Sequence, residues 1–133
     1  MIGLVVATHG NLGESLLVTA QMIVGTQPCV EAVSLSRSDS PERLHTLLAA
    51  AIERAGSGCD AVLLATDMFG GTPTNIGMTL IAAGQVELLT GVNLPMVLKF
   101  FSQRTKSSLA ELAVMLKVYA QQGVVLVSEA ITE

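Results

Sequence analysis

The sequence predicts an α/β protein of three layers, with helices packed on both faces of a parallel sheet. Two observations carry this expectation. Aliphatic runs of strand length alternate along the chain with segments whose apolar residues recur at helical spacing. Half of the 133 residues are hydrophobic but only 3% are aromatic. Leu, Val, Ile, Met and Ala must therefore do the packing, as they do where helices cover a buried parallel sheet. The length suits a single domain spanning residues 1–133.

The first strand is the aliphatic run at 2–7. Asn11 can cap the helix that follows, whose apolar positions are Leu12, Leu16, Ala20, Ile23 and Val24. Gly25 stands where a left-handed terminating residue belongs. A second strand covers 30–35. Ser40-Pro41-Glu42 then combines an N-cap, a proline at the first helical position and an acid in the first turn. The helix it starts buries Leu44, Leu47, Leu48, Ala51 and Ile52, and stops near Gly56-Ser57-Gly58.

A third strand at 61–65 leads into the loop Asp67-Met68-Phe69-Gly70-Gly71. Thr72-Pro73 caps a helix that runs to about Ala83, and a fourth strand covers 86–90. A short helix at 95–101, a longer one at 107–121 and a last strand at 123–127 complete the chain. Met22, Met78, Met96 and Met115 read as core filler.

Right-handed crossovers leave few topologies for such an alternation, and the commonest at this size is flavodoxin-like, with strand order 2-1-3-4. In that order the chain winds one way after strand 1 and the other way after strand 3. The two loops part and leave a crevice at which such folds bind ligands. His9-Gly10 and Asp67 with Gly70-Gly71 then open on the same crevice.

A histidine and an aspartate so placed make a directed pair. An Asp67 carboxylate that accepts from one imidazole N–H fixes the tautomer and exposes the lone pair of the other nitrogen. Such an imidazole is a competent nucleophile toward phosphorus, and the phosphoramidate formed is labile enough to pass its group onward. Gly70, Gly71 and Thr72 add a close backbone approach and a helix N-terminus suited to phosphoryl oxygens. Read alone, Gly70-Gly71 is also a plausible tight turn and Asp67 an Asx-turn residue. The only other histidine, His45, falls on the solvent face of its helix.

Composition narrows the function classes. A net charge of −4 with seven Lys and Arg leaves no basic surface for nucleic acid. No apolar run approaches the ~20 residues of a spanning helix, and residues 1–7 lack the flanks of a signal peptide. Cys29 and Cys59 belong to no metal or redox motif, fit a reducing, cytoplasmic compartment and read as small core or strand-edge residues. Neither metal nor cofactor is expected, since no phosphate-binding glycine fingerprint is present.

Three segments resemble a known family. Thr8-His9-Gly10, Asp67-Met68-Phe69-Gly70-Gly71-Thr72-Pro73-Thr74-Asn75 and Thr90-Gly91-Val92-Asn93-Leu94-Pro95-Met96 are similar to the signature segments of enzyme IIA of the mannose-type sugar phosphotransferase system. The resemblance implies a phosphotransferase component in which His9 takes a phosphoryl group on Nε2 from the phosphocarrier HPr and Asp67 holds Nδ1. The group would pass to a separate IIB protein, since no IIB segment or linker is fused here, and the membrane permease would be met only through partners. Gly10, Phe69, Gly70, Gly71 and Thr72 would form the phosphoryl-stabilising or partner-docking loop. The resemblance also implies a homodimer that exchanges an antiparallel C-terminal strand, which 123–127 would supply.

Three other readings use the same residues. A regulatory phosphoprotein would use the phosphohistidine as a nutrient signal without transport. The phosphotransfer subunit of dihydroxyacetone kinase shares the histidine, although the Gly-Gly-Thr-Pro and Gly-Val-Asn-Leu-Pro segments favour the sugar system. A histidine phosphatase needs an arginine before the histidine, where this chain has Thr8.

Overall fold

A computed structural model of the chain describes residues 1–132. Its central strand, β1 (Ile2–His9), is buried along its whole length except at His9. It pairs in parallel with β2 (Val30–Leu35) on one side and β3 (Ala61–Thr66) on the other, and β3 pairs in parallel with β4 (Val86–Thr90). The order of the four strands is β2-β1-β3-β4.

Alternation along β1 builds both cores. Ile2, Leu4 and Val6 pack under α1 (Leu12–Val24), α4 (Leu94–Gln103) and α5 (Leu109–Gln122) with Leu17, Phe100 and Leu112. Val5 and Ala7 pack under α2 (Pro41–Gly56) with Leu44, Leu48 and Ala51, joined by Ile76 of α3 (Gly71–Thr79). The aliphatic runs are thus strands covered on both faces, which gives the three layers.

Local capping agrees with the sequence at α2, where the Ser40 side chain accepts from the Arg43 N–H. At α5, Ser108 and Glu111 form a complete capping box. Asn11 differs: it occupies the N-cap of α1 but makes no capping bond. Instead the buried Thr8 hydroxyl accepts from the Gly13 N–H at 2.7 Å. Gly13 sits so close to β1 that a Cβ would lie 2.9 Å from the Val6 carbonyl oxygen. Consequently α1 buries Gly13, Leu17 and Ala20, while Leu12, Ile23 and Val24 are exposed. Helical spacing identified the helix, but a glycine rather than a large side chain marks the line of contact.

Three further expectations are corrected. The third helix stops at Thr79 rather than Ala83, because the chain reverses at Ala82–Val86 through Gly84, which has φ +75°, to begin β4. Residues 123–127 form no strand. Gly123 closes α5 by donating to Tyr119 O, and a short helix α6 (Val127–Ala130) follows. The backbone of a strand requires a neighbour, and the C-terminal segment engages none in the single chain, so Val124, Val125 and Leu126 are exposed. Of the methionines, only Met96 is fully buried, while Met22 and Met78 face solvent. No helix among the described residues is long and apolar enough to cross a membrane.

Candidate functional site

β1 and β3 end side by side, with Ala7 opposite Thr66, so His9 and Asp67 stand at the heads of two diverging loops. One oxygen, Asp67 Oδ2, accepts from the His9 backbone N–H at 3.0 Å and lies 2.9 Å from His9 Nδ1. A carboxylate only accepts, so Nδ1 carries the proton of that bond and Nε2 keeps its lone pair. The Asp67 side chain is 16% exposed and that of His9 is 47% exposed. The carboxylate is therefore shielded while the ring it orients remains open.

Two opposed effects act on Asp67. Its burial raises the carboxyl pKa, whereas hydrogen bonds from the His9 ring and backbone N–H, together with the charge of the ring, lower it. The lowering effects prevail and hold the group below the usual carboxylate value. Asp67 accordingly stays ionised and keeps its acceptor role through the neutral range.

The His9 ring faces a cleft of about 440 Å³ whose lining includes Phe69, Gly70, Gly71 and Thr72. The loop reaches it through two unusual backbone positions, Gly70 at φ +115° and Gly71 at φ +70°. Thr74, buried, ties this turn by accepting from the Gly70 N–H and donating to the Gly70 carbonyl. Gly70 is the N-cap of α3 and has no side chain to offer, and the first-turn residues Gly71, Thr72 and Pro73 line the cleft. A Cβ on Gly71 would meet nothing nearer than the Pro73 ring at 3.8 Å. Conformation, rather than crowding, is what requires glycine there.

Of the expected residues, Gly10 does not line the cleft. Gly10 turns toward β2, where its carbonyl accepts from the Ser34 hydroxyl at 2.7 Å. Phe69 lines the cleft but is 78% exposed. His45 is exposed on α2, away from His9.

The sequence reading passed over Arg37. It follows β2 in a turn tied by Ser36 and Asp39, lines the same cleft as His9, and forms no salt bridge among the described residues. Its signal lay in the strand order, since β2 neighbours β1 and its following loop must flank the same crevice. Thr66 was also passed over; its hydroxyl is buried beside Asp67 without a hydrogen-bond partner. No group of three potential metal ligands occurs among the described residues.

Comparison with known proteins gives one answer from sequence and structure. The family model described as "PTS system fructose IIA component" matches residues 3–117. The fructose-specific EIIA component of Bacillus subtilis is 31% identical over 130 residues, which cover 97% of this chain and 88% of that protein. The mannose-specific EIIAB component of Escherichia coli K12 is 30% identical over 104 residues, 77% of this chain but only 32% of the longer protein. Among solved structures, the phosphotransferase system component EIIA of Streptococcus agalactiae superposes with a TM-score of 0.83 at 25% identity, over 97% of this chain and 99% of that one. The chain therefore belongs to the mannose/fructose family of phosphotransferase-system IIA components.

Proposed function

We propose that this protein is a phosphoryl carrier in which His9 Nε2 takes a phosphoryl group from phospho-HPr and delivers it to a IIB protein. The observation that carries the reading is the double use of Asp67 Oδ2 by the His9 N–H and Nδ1. It presets both the ring orientation and the nucleophilic nitrogen before any partner arrives. In the forward step the Nε2 lone pair forms a bond to phosphorus as the donor's N–P bond breaks. The ring becomes cationic, and Asp67 stabilises it without itself taking the proton. The transferring oxygens face the α3 N-terminus and Arg37, whose donors offset their charge. Discharge reverses these roles toward the IIB acceptor.

The test is incubation with phosphoenolpyruvate, enzyme I and HPr, followed by mass measurement at neutral and acid pH. The wild-type chain gains one acid-labile phosphate, and His9→Ala gains none. Undiminished acid-labile labelling of His9→Ala defeats the proposal. Addition of a IIB protein then discharges the labelled wild type.

We also propose that two copies assemble through the C-terminal segment. In support, β4 is an edge strand, and a cleft of about 510 Å³ beside it is lined by Ile81, Leu88, Leu89 and Thr90. The apolar residues Val124 to Val127 are exposed in one chain and have the composition of a strand. Pairing with a second copy would cover both the edge and the apolar segment.

A further inference from the structure

Cys29 and Cys59 lie 30 residues apart in sequence (59 − 29) but both stand at the end of the sheet opposite His9, with Cys29 against the turn that leads to Cys59. Cys29 immediately precedes β2 and Cys59 nearly adjoins β3, at the ends where Leu4 faces Val30 and Ile2 faces Ala61. The Cys29 Sγ lies 3.9 Å from the carbonyl of Ser57, in the turn that leads to Cys59. Both residues are partly exposed and both are free thiols. Cys29 is the one non-glycine residue among the described residues with a positive φ, +59°. That conformation is uncommon for an L residue and marks a constrained position.

A cation stands over the pair. Arg104 is 3% exposed and donates to Ile2 O at 3.0 Å, with longer contacts to Gln27 Oε1 at 3.4 Å and Cys29 O at 3.5 Å. Among the described residues no carboxylate pairs with it. Its charge acts on the Cys59 sulfur, as does that of the N-terminal ammonium. Positive charge favours a thiolate and hence thiol–disulfide exchange. Burial and the neighbouring sulfur outweigh this at Cys59 and push its thiol up.

We propose that Cys29 and Cys59 form a dithiol–disulfide site, oxidised by a low-molecular-weight disulfide such as oxidised glutathione. The Cys29 thiolate attacks one glutathione sulfur, the glutathione S–S bond breaks, and one glutathione thiolate leaves. Cys59 then attacks the Cys29 sulfur of the mixed disulfide, releasing the second glutathione. Two protein thiols are oxidised, one disulfide is reduced to two thiols, and the two protons leave with glutathione. The bond ties the segment before β2 to the segment before β3 across the start of β1, closing a ring that contains α2. Because His9 lies at the other end of β1, this site is separate from the proposed phosphoryl site.

The experiment incubates the full chain with equimolar oxidised and reduced glutathione, blocks remaining thiols, and measures intact mass and peptide linkage. The expected product is two hydrogens lighter than the reduced chain, with Cys29 and Cys59 peptides joined within one molecule. Cys29→Ser and Cys59→Ser each halt at a single glutathione adduct at most. Three outcomes overturn the proposal: a wild-type chain that stays reduced, one that retains glutathione adducts, or one whose disulfide joins two molecules. Linkage in the wild type decides the matter even if a serine variant folds poorly.

Discussion

At His9, the two hydrogen bonds to Asp67 Oδ2 do separate work: one fixes the loop backbone, the other fixes the ring. Asp67→Asn retains an acceptor for Nδ1–H but removes the charge that, under the proposed function, stabilises the phosphorylated ring. Phosphoryl uptake from phospho-HPr should fall about 10²-fold, as when a hydrogen-bonded orienting carboxylate is lost, and rapid-quench labelling checks this. The same residue sets a pH dependence. Because the folded-state pKa of Asp67 is lowered, its ionised form contributes stability above the ordinary carboxylate value, and this is lost as pH falls through the lower folded value. The stability advantage of wild type over Asp67→Asn should therefore shrink on acidification below about pH 4. Urea titrations of both proteins along that range measure it, and an unchanging difference would show that the His9 contacts do not tune Asp67.

Two glycines position elements around the site for different reasons. Gly13 allows α1 to lie against β1, since a Cβ would lie 2.9 Å from Val6 O and 3.3 Å from Thr8 Oγ1. Gly13→Ala should cost about 1–3 kcal/mol through overpacking against backbone that has little room to yield, read as a lower denaturation midpoint with an unchanged slope. Gly71 instead holds a positive φ in open space. Gly71→Val should cost about 1–2 kcal/mol from backbone conformation and slow phosphoryl transfer about tenfold or more by displacing the start of α3. A fully active and fully stable Gly71→Val would show that this turn is free to relax. The periodicity of α1 was legible in the sequence, yet its buried face was not. A glycine contributes nothing to a hydrophobic pattern, although it decides which side of the helix can approach a strand.

For the whole molecule, the open feature is the outer edge of β4, which beyond the Ala82–Val86 bridge pairs with no strand among the described residues, beside the exposed apolar residues 124–127. Truncation after Gln121 should leave the four-stranded domain folded, because both cores end at Ala120 or before. The full chain should sediment as a dimer and the truncated chain as a monomer. A dimer that persists after truncation would place the interface elsewhere. The apolar run at 123–127 has strand composition but is not a strand in one chain, since strand formation depends on an available edge as well as on local preference.

The sequence alone determined the four parallel strands, the helices between them and the loops that carry His9 and Asp67. Those features follow from short-range periodicity, from caps such as Ser40-Pro41 and from the few crossovers a parallel sheet permits. Tertiary structure decided the bond from His9 Nδ1 to Asp67, the placing of Arg37 on the same cleft, the approach of α1 at Gly13 and the contact of Cys29 with the turn that leads to Cys59. Each of these joins groups from separate segments, and their distances depend on how the layers stack. No spacing along the chain records that.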